Sequence, residues 1–204
     1  MNTRDQILAS AWNLFTERGF EDVSVRDVTS DAGVNLASVN YHFGSKDGLI
    51  QEVVKQVLNP MNAARMESLK TLIEQTGSID NVSLRQVVEC YVRPMAFPEE
   101  HGGNHDILAM LAARYLIKRN YDIPLSVNQH FADVFQNFVI VIATKVPHME
   151  KDAILRALMF TVGAALHYQS FAEIAQKIKG EEPALDREES FNSLIDFVLP
   201  GFER

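Results

Sequence analysis

The chain has 204 residues, enough for one large or two small domains with a proper core. Its hydrophobic share of 47% and charged share of 23% are ordinary for a globular protein and exclude disorder as its main state. Net charge is −8, and residues 1–58 hold five basic groups against eight acidic ones, so no basic tail or stripe supports indiscriminate binding to nucleic acid.

Cys90 is the single cysteine, cannot close an internal disulfide, and fits a reducing compartment. The opening "MNTRDQ" is polar and lacks an apolar signal core. The longest apolar run, "FVIVIA" (138–143), is far too short to span a bilayer. These features predict a soluble cytoplasmic protein with no membrane partner.

The pattern is helical almost from the start. "TRDQILASAWNLFTERG" spaces Ile7, Leu8, Ala11, Leu14 and Phe15 along one buried helix face. Thr3 with Gln6 reads as a capping box, and Gly19 as a stop. Ser24 can cap "VRDVTSDA", whose Val25, Val28 and Ala32 share a face, and Gly33 ends it. Asn35 caps a third segment, Leu36 to Phe43, which Gly44 closes before Ser45 caps a fourth helix. Two short helices separated by "GVN" meet the requirement of a helix-turn-helix.

The third segment has an unusual outer face. At about 100° per residue, Leu36, Val39 and Phe43 fall within roughly 60° of one another and form an apolar seam. Ala37, Ser38 and Tyr41 lie opposite, with Asn40 and His42 at the flanks. Small, polar and aromatic groups of this kind reach base edges, thymine methyls and phosphates in a major groove. An acidic chain that binds DNA must do so through a few placed groups like these and through helix N-termini.

Farther on, Leu49, Ile50, Val53, Val54, Val57 and Met61 predict a long helix that Pro60 should kink or break near Asn59. A helix bent there is either a lever for a signal or a simple accommodation of packing. Further helices are predicted over 83–97, 105–120, 125–146, 151–178 and 187–199, with "HGGNH" and "KGEEPALD" as connectors and no strand-like alternation. Aromatic and methionine residues along these segments usually form core, and they would equally suit a largely apolar ligand.

The stretch from Gly33 through Asn35-Leu36-Ala37-Ser38-Val39-Asn40-Tyr41-His42-Phe43-Gly44-Ser45-Lys46 to Leu49, with "LFTERGFEDVSVRDVTSDAG" before it, resembles the recognition-helix signature of the TetR family of bacterial repressors. The resemblance covers about the first 55 residues and its motif is very specific. It implies an all-α homodimer with an N-terminal helix-turn-helix head, residues 1–46, and a C-terminal effector-binding and dimerisation domain, residues 47–204. The "Val-Asn-Tyr-His-Phe" variant is similar to a subgroup that senses fatty acids or acyl derivatives, the PsrA-like repressors. Asn40 stands where many members carry tyrosine. Asparagine pairs with adenine, whereas tyrosine more often reaches a phosphate or methyl.

Carried over residue by residue, the resemblance implies that Arg26, Asn35, Ala37, Ser38, Asn40, Tyr41, His42 and Lys46 bind DNA. His42 and Lys46 would hold phosphates, Lys46 at a helix N-terminus. Arg26 either reaches the groove or pairs with a nearby carboxylate. Expected lining of the effector pocket is Tyr91, Met95, Met110, Arg114, Phe131, Phe135, Phe138 and Phe160. Arg93 and Arg114 either clamp a carboxylate or phosphate or make surface and helix-pairing contacts, the second being the simpler reading. Leu155, Leu158, Met159, Val162 and Leu166, with Leu194, Ile195 and Val198, would form a two-fold four-helix dimer interface. A two-fold dimer implies a palindromic operator.

Enzyme chemistry finds little support. His101 and His105 lie four apart beside Glu99 and Glu100, but Gly102 and Gly103 make a poor helix, so no metal site is assigned. No phosphate loop, nucleophile elbow or metalloprotease signature occurs, and Cys90 reads as a small buried hydrophobe. The expected function is a ligand-responsive, DNA-binding repressor without a cofactor. Its partners would be a double-stranded operator, a small apolar effector and a second copy of the chain. The alternative is a helical small-molecule-binding or enzymatic protein with a relict head.

Overall fold

The computed structural model describes residues 2–101, 125–179 and 186–203, and among them every regular element is helical. Helix α1 (Thr3–Arg18) is capped by Asn2, whose side chain accepts the Asp5 N–H at 2.9 Å. The Thr3–Gln6 capping box is therefore not formed. Asn2, one residue earlier, already satisfies a first-turn donor, and Thr3 becomes the first helical residue. Ile7, Leu8, Ala11 and Phe15 are buried, while Leu14 is only half-buried. Phe15 meets Phe20 edge-on at 4.9 Å.

Helix α2 (Val25–Asp31) opens with the reciprocal capping box of Ser24 and Asp27. The buried Ser10 hydroxyl of α1 donates to Asp31 Oδ2 at 2.6 Å and fixes the far end of α2. Gly33 takes φ +65°, a backbone that L side chains avoid, and turns the chain into α3 (Leu36–Phe43). Asn35 caps α3 by accepting the Ala37 N–H at 2.9 Å. Gly44 closes it, and Ser45 Oγ accepts the Gly48 N–H at the start of α4 (Lys46–Thr76).

The predicted seam of α3 holds only in its middle. Val39 is fully buried, but Phe43 is half-buried and Leu36 is 42% exposed. An eight-residue helix covers its central turn against α1 and α2 and leaves its ends at the margin. Helix α4 also differs from expectation, because it runs unbroken through Pro60 for 31 residues. Proline removes one backbone hydrogen bond, and the buried Leu58 and Met61 on either side hold the chain helical.

The described residues divide into two compact units. The first takes in residues 2–59 and 125–131, so it runs past residue 46 into α4. The second takes in Pro60 to His101 and the chain from Ala132 onward. In it lie α5 (Leu84–Ala96), most of α6 (Leu125–Lys145), α7 (Lys151–Lys179) and α8 (Arg187–Val198). α5 packs on α7 and α8, and α7 packs on α8. Val87, Val88, Val92, Phe138, Ile142, Ile154, Leu158, Ile195 and Phe202 form the core of this unit. Among the described residues, no helix is long and apolar enough to cross a membrane.

Candidate nucleic-acid interface

In the first unit the helix-turn-helix presents its groove-reading groups to solvent. Ala37, Asn40, Tyr41 and His42 are exposed, Tyr41 at 85%, and Ser38 is half-buried. The Tyr41 and His42 rings meet edge-on at 5.0 Å, so the aromatic pair keeps one arrangement while remaining accessible. Asn35 is exposed, but its carbonyl oxygen is committed to the Ala37 N–H. Its NH₂ group and the second lone pair of that oxygen remain for an external contact.

Charge in this unit is distributed in a way that composition hides. Arg4 pairs with Glu52 and also lies 5.6 Å above the Phe43 ring. Lys55 donates to the same Glu52 at 2.7 Å, and this hydrogen bond, with the two cations, holds the Glu52 carboxyl below its ordinary value. Arg18 donates to the Asp22 carbonyl at 2.9 Å. Arg26, exposed at the second position of α2, and Lys46, at the first position of α4, make no ion pair among the described residues. Of the five cations in residues 1–58, these two stand without a carboxylate or carbonyl partner there. The pairing alternative for Arg26 is not what the structure shows.

In the second unit the expected pocket residues separate into two places. Tyr91 and Met95 are buried on α5, and Tyr91 packs edge-on to Phe138 at 5.0 Å and to Phe135 at 6.1 Å. Phe160 is elsewhere. It is 75% exposed and, with the 77% exposed Phe197, flanks an open surface groove of about 500 Å³ that also borders Ala153, Arg156 and Ala157. At about 100° per residue Phe160 lies roughly 130° around α7 from the buried Leu158–Thr161 stripe, so it turns outward instead of into the aromatic cluster. Met110 and Arg114 lie outside the described residues, as does the side chain of Phe131.

The expected dimer residues separate as well. Leu155 and Met159 are exposed, Val162 and Leu166 are half-buried, and all lie on α7. Leu158 and Ile195 are fully buried and Leu194 and Val198 nearly so. These four belong to the core of their own subunit, because α7 and α8 pack directly on each other. The exposed apolar positions that periodicity did not assign to this face are Phe160 and Phe197.

Arg93 pairs with Glu188 and lies 3.6 Å from Glu100, with its guanidinium over the Phe97 ring at 4.6 Å, so it is a surface helix-pairing arginine. Cys90 is half-buried, and burial first, then Glu89, pushes its thiol up to about 11. A thiol so protonated at neutral pH is a poor nucleophile. His101 ends a short 3₁₀ turn, and His105 lies outside the described residues. One buried group escaped the sequence reading. Arg65 of α4 is 3% exposed, and nothing in its local pattern marked it as interior.

Comparison with known proteins agrees with this architecture. Residues 7–53 match the model for bacterial regulatory proteins of the tetR family, and residues 89–201 match the tetracyclin repressor-like C-terminal domain. The chain is 39% identical over 56 residues to the probable HTH-type transcriptional regulator YttP of Bacillus subtilis, which is 28% of this chain and 27% of that protein. To the HTH-type transcriptional repressor AcnR of Corynebacterium glutamicum it is 25% identical over 161 residues, 70% of this chain and 83% of that one. The first of these matches thus spans about a quarter of the relative's length. A crystal structure of the transcriptional regulator FadR from Bacillus subtilis, in complex with stearoyl-CoA, has the same fold. Its TM-score is 0.63 at 12% identity, over 97% of this chain and 98% of that one. With a helix-turn-helix head matched by one model and more than half its length matched by the other, the chain belongs to the TetR family of DNA-binding transcriptional regulators.

Proposed function

We propose that the protein is a cytoplasmic repressor that binds a palindromic operator as a homodimer and is released by a small, largely apolar effector. The observation that carries the DNA reading is the outer face of α3. Tyr41, Asn40 and Ala37 stand in solvent there, while the two cations of the head without partners among the described residues, Arg26 and Lys46, open the flanking helices. Asn40 has the donor and acceptor that adenine requires, and Lys46 at a helix N-terminus suits a phosphate. Ser38, His42 and Asn35 complete the contact set.

Dimerisation would use the exposed Leu155, Met159, Phe160 and Phe197 of α7 and α8, with Val162 and Leu166 at the edge. Large apolar groups so exposed on adjoining helices are what an isologous interface would cover. The effector would occupy the region of Tyr91, Met95, Phe135 and Phe138, together with Met110, Arg114 and Phe131. Fatty acids or their acyl derivatives suit that lining. The PsrA-like resemblance and the stearoyl-CoA held by the FadR relative favour the same class. Binding would favour a conformation whose heads are wrongly spaced for successive grooves, and the coupling equals the differential affinity of the ligand for the two states.

Selection of random double-stranded DNA by the purified protein at physiological salt, followed by sequencing, tests this reading. Recovery of a two-fold palindrome is the expected result. No enrichment by a folded dimer would overturn it.

A further inference from the structure

Arg65 is a buried cation with no anion beside it among the described residues. Its side chain is nearly inaccessible, yet no carboxylate pairs with it among the described residues. Nε donates to the Tyr91 carbonyl oxygen at 2.8 Å, and Nη1 donates to Asn62 Oδ1 at 2.9 Å. A guanidinium has five N–H donors, so three are left over. Burial lowers its affinity for the proton, but arginine keeps its charge in any protein environment. A desolvated charge of this kind is expensive unless something neutralises it.

The neighbouring groups add a second orphan. The guanidinium lies 4.2 Å above the Tyr91 ring, and Tyr91 is itself buried against Phe138 and Phe135. The Tyr91 hydroxyl has no hydrogen-bond partner among the described residues, although a buried phenol normally finds one. Burial holds the Tyr91 phenol protonated, so Arg65 carries the charge of this pair and the hydroxyl keeps its proton to donate. A fork of N–H donors and one O–H donor, set beside three aromatic rings, offers the groups that would hold a planar anion on an apolar body.

A purely structural role explains part of this. Pro94 lies in α5 and lacks an N–H, and the Arg65–Tyr91 carbonyl bond can compensate for backbone disturbed nearby. That role uses one donor and requires no charge. It leaves the other N–H groups and the phenol unexplained.

We infer that the effector is a carboxylic acid whose carboxylate is held by Arg65 and the Tyr91 hydroxyl, with its apolar part against Phe135 and Phe138. One buried cation neutralises one negative charge, which suits a carboxylate and not a phosphate ester with a second charge to balance. This rests on the apolar-effector reading above and narrows it to the free acid.

The test uses the full-length protein and two fluorescent probes, dansyl-undecanoic acid and its uncharged methyl ester. Wild-type protein binds the acid about ten-fold more tightly than the ester or better, the scale of one charge-assisted hydrogen bond. Arg65→Met removes that preference while leaving ester affinity near wild type; its fold is checked by circular dichroism, because relief of the buried charge is offset by a Tyr91 carbonyl left without its donor. Tyr91→Phe, which keeps the ring under the guanidinium, weakens the acid several-fold and not the ester. Equal wild-type affinity for acid and ester overturns this inference and leaves the apolar-effector reading intact. So does an acid preference that survives Arg65→Met. If neither probe binds, the apolar-effector reading falls and takes this inference with it, while operator selection still stands as a separate test of DNA binding.

Discussion

Gly48, in the first turn of α4, lies directly beneath the carbonyl oxygen of Phe43, the last residue of α3. A Cβ at position 48 would overlap that backbone oxygen, and neither atom belongs to a flexible side chain. Alanine normally favours a helix interior over glycine by about 1 kcal/mol, but an overlap with backbone outweighs that preference. Gly48→Ala should therefore destabilise the head by about 1–3 kcal/mol and tilt α3, lowering DNA affinity more than stability. Trp12, the single tryptophan and a residue of α1, reports unfolding of this unit by fluorescence. An unchanged midpoint and unchanged DNA affinity would contradict the expected clash.

With two cations per head lacking partners among the described residues, a dimer brings about four to DNA. The logarithm of affinity should then fall against the logarithm of salt with a slope of about −4, shallow for a repressor. Lys46→Ala reduces that slope by about 2 for the dimer and weakens all sequences alike. Asn40→Ala instead relaxes the preference for one base pair in each half-site. Fluorescence anisotropy across a salt series distinguishes the two.

Phe160 and Phe197 are exposed, whereas Leu158 and Ile195 are buried beside them. Substituting Phe160 and Phe197 together by glutamate should give a folded monomer, visible as a halved mass in sedimentation equilibrium, with operator binding lost. Leu158→Ala behaves differently. It leaves association intact and costs about 2–5 kcal/mol of subunit stability.

Glu52 is held below its ordinary value of 4.5 by the Lys55 hydrogen bond and by both neighbouring cations. Asp27 is held below 3.8 by Ser24. Depressed carboxyl groups contribute stability that is fully present above their unfolded values and is lost as pH falls through their folded ones. Trp12 fluorescence should accordingly show denaturant midpoints that are flat above about pH 5 and decline below it. Glu52→Gln should make that decline shallower. A decline just as steep in the variant would place the acid sensitivity elsewhere.

Cys90, with its thiol near 11, should resist alkylation. Iodoacetamide at pH 8 should label the unfolded chain at least about ten-fold faster than the native one, because the thiolate fraction falls with each pH unit below the thiol value. Mass spectrometry of timed samples measures the ratio.

What the sequence revealed depended on how local each cause was. Ser24 and Asn35 were legible as caps because a cap acts within three residues. Asn2 was missed although its signal was present, since Thr3 offered a competing pattern. The apolar stripe of α7 was visible, but a helix with apolar residues on two sides does not say which side its own subunit covers. Leu158 and Phe160 could be told apart only once α8 was in position. Pro60 ended no helix because burial at Leu58 and Met61 overrode a local preference. Arg65 was illegible for the opposite reason. Its partner carbonyl comes from Tyr91, 26 positions along the chain, and no window around residue 65 contains it.

The capture of Arg4 and Lys55 by Glu52 has a consequence for how the regulator is distributed in a cell. Chromosomal DNA holds a DNA-binding protein mainly through cations that replace condensed counterions. A head that has paired two of its five cations with its own carboxylate is held only loosely by random sequence. Most molecules would then be free in solution rather than parked along the chromosome. Operator occupancy would follow the copy number of the protein closely, and a modest change in expression would register directly as a change in the proposed repression.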